Sequence, residues 1–266
     1  MTRTISAALA IVVSAAPAWA DMKMTQTVSG KALGIDGSSL STTYIKGNKM
    51  RADVVVKDVT RTTIYDVDAH KMYIFDSKKK EADVWDMAAF AQEIGSTMQV
   101  DGMTASIKPN GQTKQVAGKT AAGYDMAITM PATMGADKNG QGGMKMIANL
   151  SGPVWIVKGA PGTDDYLRFY KAASEKGFIF SDPRAAKGQP GQAKAMREMY
   201  NQLAATGGLP YEMEMNIKMG GEGPMAGLMS RMGNMTSTST VQTVDTAPLD
   251  DALFAPPAGY KLSTKK

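Results

Sequence analysis

The sequence has no cysteine, one histidine and few aromatic residues, which make up 7% of its 266 positions. The missing thiols exclude disulfides, a cysteine nucleophile and thiolate metal centres. The single imidazole, His70, falls in a turn, with no second histidine to complete a metal site and no partner to orient it as a general base. There is no G-x-S-x-G elbow and no glycine-rich phosphate loop running into a helix. The paired acids Asp164-Asp165 and Asp250-Asp251 read as a helix start and a turn rather than a hydrolytic pair. A non-enzymatic protein without a cofactor is the expectation. Charge of one sign is scarce too: 30 Lys+Arg against 25 Asp+Glu, net +5, is too mild and too dispersed to hold nucleic acid. Past the N-terminus no apolar run approaches about 18 residues, so no internal membrane-spanning helix is expected.

Residues 1–20 are set apart from the rest. Arg3 supplies a short positive region, Ile5 to Ala16 an apolar run, and Ala18-Trp19-Ala20 a cleavage site ahead of Asp21, the pattern of a secretory signal peptide. Its removal takes away one positive charge and leaves +4. No cysteine follows the cleavage site to accept a lipid, so the expected product is an unlipidated periplasmic protein. Residues 21–266, at globular composition, then read as one domain.

Period-two alternation dominates this domain and marks strands with one buried face. In Tyr211-Glu212-Met213-Glu214-Met215-Asn216-Ile217-Lys218-Met219 every odd position is apolar and every even one polar. The pattern recurs in Tyr124 to Met130, Met22 to Met24 and Met50 to Lys57. Short polar links at Lys46 to Lys49, Asp66 to His70 and Asp76 to Lys80 join such runs as hairpins, predicting an antiparallel meander. The lysine triplet Lys78-Lys79-Lys80 reads as a solvated turn that discourages edge pairing.

Three helices are expected to lie on the sheet. Asp86 caps a stripe of Met87, Phe90, Ala91, Ile94 and Met98. A second helix starts at Thr163, places Asp164 and Asp165 in its first turn, buries Tyr166, Phe169, Tyr170 and Ala173, and stops at Gly177. The third runs from about Gln192 to Thr206 with Met196, Met199, Leu203 and Ala204 on one side. Pro131 to Gly143 and Gly220 to Thr236, rich in glycine, are expected to be long mobile loops.

Methionine outnumbers leucine by 22 to 11, the reverse of normal usage. Unbranched thioethers re-pack against variable partners, so a methionine-lined face suits either a permissive core or a groove for something apolar. Thioethers are also soft ligands for Cu(I), and Met225, Met229, Met232 and Met235 are spaced four, three and three apart.

The segment Tyr44-Ile45-Lys46-Gly47-Asn48-Lys49-Met50-Arg51-Ala52-Asp53 is followed by Ile64-Tyr65-Asp66 and Lys71-Met72-Tyr73, and later by Gly207-Gly208-Leu209-Pro210. Leu249-Asp250-Asp251-Ala252-Leu253-Phe254 then leads to Pro257-Ala258-Gly259-Tyr260-Lys261. In this order the chain resembles the exported bacterial family built on the domain of unknown function numbered 4412, which is similar in architecture to LolA/LolB-type lipoprotein carriers. The resemblance implies an α+β fold: a strongly curved antiparallel sheet, an open half-barrel, with about three helices covering its concave face. It implies no catalytic residues. The resulting expectation is a periplasmic binding or carrier protein that holds a lipid or other amphiphile in a methionine- and aromatic-lined groove, with an envelope protein or a membrane surface as a further partner. The candidate lining is Met126, Ile128, Met130, Met213, Met215, Ile217 and Met219, with Phe90 and Ile94 on a covering helix. Two other readings stay open: a Cu(I)-binding protein using the loop methionines, and a ligand-free structural or envelope-stress module.

Overall fold

A computed structural model of the protein describes residues 21–32, 35–97, 103–134, 144–178, 180, 182–184, 190–221 and 235–265. The alternating segments become strands β1 (Met22–Ala32), β2 (Ile35–Lys46), β3 (Lys49–Val56), β4 (Val59–Asp66), β5 (Lys71–Asp76) and β6 (Glu81–Asp86). Helix α1 (Met87–Thr97) follows, then β7 (Thr104–Val116), β8 (Lys119–Met134), β9 (Met144–Lys158) and α2 (Thr163–Glu175). Helix α3 (Pro190–Ala205), β10 (Gly208–Gly221), β11 (Met235–Asp245), a 3-10 turn (Asp251–Phe254) and β12 (Lys261–Lys265) complete the order. The strands form one sheet, β12-β6-β5-β4-β3-β2-β1-β11-β10-β9-β8-β7. Two meanders are thus joined where β1 pairs with β11. The sheet is open, with β12 and β7 as its edges.

The hairpin expectations hold at Gly47-Asn48, between paired Lys46 and Lys49, and between β4 and β5 and between β5 and β6. One pair departs from the antiparallel pattern: β12 runs parallel to β6, from Lys261 opposite Glu81 to Lys265 opposite Trp85. No hairpin constrains that direction, because the C-terminal segment crosses the sheet before it pairs. Both segments expected as loops begin, and the second also ends, in strand. Residues 131–134 extend β8, 220–221 extend β10 and 235–236 open β11; residues 135–143 and 222–234 lie outside the described residues.

The helices start and stop where local chemistry dictates. Asp86 Oδ1 accepts the Ala88 and Ala89 amides at 3.0 Å each, capping α1. Helix α2 ends at Gly177, whose positive φ of 75° lets the Phe178 amide fold back to the Ala173 carbonyl at 2.9 Å. That reversal sends Phe178, fully buried, back beneath the helix.

One face of the sheet carries the main core, in which Met22, Met24, Ile45, Met50, Tyr65, Met72 and Trp85 meet the buried side of α2. The opposite face over β2 to β6 is covered by the C-terminal segment: Ile64, Phe75 and Ala82 pack against Phe254, with Tyr44, Tyr73, Leu249, Leu253 and Tyr260 around them. Polar side chains of β2, β3 and β4 meet the C-terminal segment here. Arg51 Nε donates to Asp53 Oδ1 at 2.9 Å, its Nη1 donates to the Leu253 carbonyl at 3.2 Å, and the buried Thr62 hydroxyl donates to Asp53 Oδ1 at 2.7 Å. Lys46 Nζ donates to the Leu249 carbonyl at 2.7 Å and pairs with Asp251 at 2.8 Å. These contacts fasten the C-terminal segment to the sheet.

Arg51 and Asp53 are 18% and 14% exposed, so removing the cation leaves a largely buried carboxylate with one hydroxyl donor. Arg51→Met is expected to cost about 2 kcal/mol of stability, because the unpaired partner keeps its desolvation penalty. An unchanged urea midpoint would refute the clasp.

Candidate functional site

Helix α2 and the chain after it supply an aromatic cluster because their apolar residues recur at helical spacing and then reverse. Tyr166 and Tyr170, one turn apart, have ring centroids at 4.6 Å. Tyr170 stacks on Tyr200 of α3 at 4.3 Å and 10°. Phe180 fits between them and the sheet, 4.8 Å from Tyr170, 4.6 Å from Tyr200 and 5.7 Å from Tyr65 of β4. Aromatic pairs at these separations add to their burial, so α2, α3 and the sheet are tied at one place.

Beneath the cluster lies a cavity of about 210 Å³. Its roof is Tyr166, Tyr170, Phe180, Tyr200 and Leu203. Its floor comes from both meanders: Met24 and Gln26 of β1, Ser41 and Thr43 of β2, Met50 and Ala52 of β3, then Pro210 and Met213 of β10 and Ser239 of β11. The register explains why these side chains share a face. Met24 lies opposite Thr43, Gln26 opposite Ser41, Thr43 opposite Ala52, Met50 opposite Tyr65, and Met213 opposite Ser239. The register shifts between Thr25 and Gln26, in the β1 to β11 pairing at the middle of this floor, and between Pro210 and Glu212, in the β9 to β10 pairing at its margin.

The described lining residues carry no formal charge. Burial pushes the Tyr65, Tyr166, Tyr170 and Tyr200 phenols above their ordinary value, since a phenolate would lose its water. The site thus offers protonated hydroxyls, ring edges, thioethers and the Gln26 amide. No group of three or more His, Asp or Glu residues that could hold a metal occurs among the described residues. His70 sits apart, its ring stacked on Phe178 at 6.5 Å and its carbonyl accepting the Met87 amide at 2.8 Å.

Among the described residues no helix is long and apolar enough to cross a membrane. No family model matches the chain, and no curated protein matches it either. A similar solved structure is that of a domain described as an outer membrane lipoprotein-sorting protein domain from Vibrio parahaemolyticus, 7% identical, covering 90% of each chain at a TM-score of 0.34. At that distance the likeness identifies neither residues nor a ligand.

The candidate lining divides in space. Met213 lines the cavity. Met126, Ile128, Met130 and Ile217 are buried in a second core cluster with Met199 and Leu203 of α3, and Met215, Met219 and Met235 pack half-buried against it. Phe90 is 3% exposed and stands edge-on to Trp85 at 5.9 Å, within the main core. Ile94 is on α1 with its side chain outside the described residues, and Met225, Met229 and Met232 also lie outside them. The tyrosine roof was missed as a site, although Tyr166 and Tyr170 were read as a buried stripe. Tyr200 also follows helical spacing, four residues after Met196, whereas nothing local marks Phe180.

An alkaline absorbance titration tests this environment. The four roof and sheet phenols should stay protonated above about pH 10, where exposed tyrosines ionise, and should titrate only as the fold opens. The unfolded chain then releases protons that the folded one keeps, so stability should fall as pH rises past that value. Smooth ionisation of all nine tyrosines in the folded protein would contradict the packing.

Proposed function

We propose that the protein is a non-enzymatic periplasmic carrier that holds an amphiphile between the helix pair and the centre of a concave half-barrel sheet. The observation that carries this reading is the aromatic-roofed cavity, covered by α2 and α3 and floored by five strands. The register shifts in β1 to β11 and β9 to β10 pairing are compatible with a floor that curves toward the helices. Beyond the aromatic roof the same sheet face carries half-buried Val28, Val54 and Met215 beside Ser39, Ser41 and Ser237, their partners across the strands, a mixed track of apolar and hydroxyl side chains. Each methylene buried on such a track contributes about 0.8 kcal/mol, so a short acyl segment supplies several kcal/mol without any covalent chemistry. The Ala18-Trp19-Ala20 site supports export, and with it a role among envelope lipids.

The decisive experiment is native mass spectrometry of protein purified from the periplasm, with organic extraction and a metal assay on the same sample. An amphiphile near one per chain is expected. Met213→Glu places a carboxylate at the half-buried edge of the cavity and should lower amphiphile occupancy at least roughly tenfold with the urea midpoint nearly unchanged. A wild-type chain that stays empty after incubation with phospholipid, fatty acid and monoacylglycerol would end the carrier reading. Bound copper without lipid would move attention to Met225, Met229, Met232 and Met235.

A further inference from the structure

The cavity is two-sided, and that asymmetry restricts its ligand. Its roof is almost entirely aromatic, while its floor carries Gln26, Ser41, Thr43 and Ser239 between the thioethers of Met24, Met50 and Met213. Ser41 and Thr43 are each 6% exposed, so their hydroxyls are withdrawn from bulk water. A bare hydrocarbon laid across this floor would remove what water remains and return no hydrogen bond, which is unfavourable for buried polar groups. A charged group would fare worse. No lysine, arginine, aspartate or glutamate is among the described lining residues. The ion-pairing groups near the helices are already engaged, Arg168 with Asp165 at 3.2 Å and Arg184 with Asp182 at 2.7 Å. A cation finds no open aromatic cage either, because the Tyr170 and Tyr200 faces cover one another at 4.3 Å. The roof hydroxyls stay protonated across the neutral range and so bring no charge to the cavity.

Resting on the carrier reading, we infer that the part of the ligand seated in this cavity is uncharged and carries hydrogen-bonding oxygens along one side, as the glycerol ester of a monoacylglycerol does. Its acyl chain leaves the cavity over Val28 and Met215, and its ester and hydroxyl oxygens meet the Ser41, Thr43 and Ser239 floor.

The test uses probes that share one oleyl or oleoyl chain and differ in the head: monooleoylglycerol, oleyl sulfate, oleyl trimethylammonium and octadecene. Each is offered to the whole mature chain, with occupancy read by native mass spectrometry and by displacement of a neutral fluorescent amphiphile. Monooleoylglycerol should bind at least roughly tenfold tighter than each of the others. Its affinity should be flat from about pH 6 to pH 9, below the ordinary tyrosine value. Thr43→Val keeps the side-chain shape, and combined with Ser41→Ala it should reduce that preference over octadecene roughly tenfold. Sulfate or trimethylammonium binding as tight as the glycerol ester would overturn the inference while leaving a carrier. An unchanged preference in the double variant with a native urea midpoint would overturn it as well. If the double variant shifts that midpoint, Ser239→Ala alone decides the same question. Failure of all four probes to bind would overturn the inference, and failure of phospholipid and fatty acid beside them would remove the carrier reading itself.

Discussion

The fold depends on a single strand being paired on both sides. β1 is bonded to β2 along its whole length and to β11 from Lys23 opposite Asp245 to Gly30 opposite Ser237. Its neighbours belong to the two ends of the chain, so one strand joins the β2 to β6 meander to the β7 to β11 meander. The contact is tight enough to select its residues: a Cβ on Gly30 would lie 2.2 Å from the Thr236 carbonyl oxygen. At the other end of the strand the buried Asp21 carboxylate accepts the Leu249 amide, tying the start of β1 to the segment that leads into the C-terminal clasp. Pairing across so long a sequence separation carries a large loop-closure cost and is slow to form. The β2 to β6 hairpins are local, whereas β9 and β10 pair across α2 and α3 and β1 and β11 pair across nearly the whole chain.

The cavity inherits this dependence. Gln26, Ser41 and Met50 come from one meander and Ser239, Met213 and Pro210 from the other, so no floor exists until the seam is made. The roof has the same logic at a second level. Tyr170 on α2 and Tyr200 on α3 touch each other, and Phe180 links both to Tyr65 on the sheet. Three elements distant in sequence converge on one stacked group, and the enclosed space is what their side chains leave over the serine and threonine floor.

Local order was legible because side-chain periodicity is fixed by backbone geometry. A period of two in Tyr211 to Met219 has no helical solution, and the Tyr166, Phe169, Tyr170, Ala173 stripe has no strand solution. Capping by Asp86 and the stop at Gly177 were readable for the same reason. Strand order was not legible, since the face pattern of β1 is satisfied by any partner in the right register. That is why the parallel β12 and the β1 to β11 seam appear only in the structure. Site residues suffered from the same degeneracy: Met126, Ile128 and Met130 show the alternation of a buried face, and sequence does not tell whether α3 or a ligand covers it. Arg51, Asp53 and Leu253 hold the C-terminal segment in place, a long-range contact that no local periodicity announces.

The excess of methionine finds a physical place in this division. Met126, Met130 and Met199 are buried where α3 rests on β8 to β10, with Met213, Met215, Met219 and Met235 packed around them. A pad of unbranched thioethers fills irregular space with little rotamer strain, but it defines position poorly. The same helix also carries Tyr200, packed against this cluster and stacked at 10° on Tyr170, a contact with one narrow geometry. Precision is therefore concentrated at the roof, where rings fix the cavity's shape, and tolerance lies under the helix, where only volume has to be filled. Met213 lies at the boundary, packed against the pad and lining the cavity at once. A change in how α3 settles on its pad reaches the cavity through that side chain and through Tyr200 together, which couples the adaptable core to the rigid roof by direct contact.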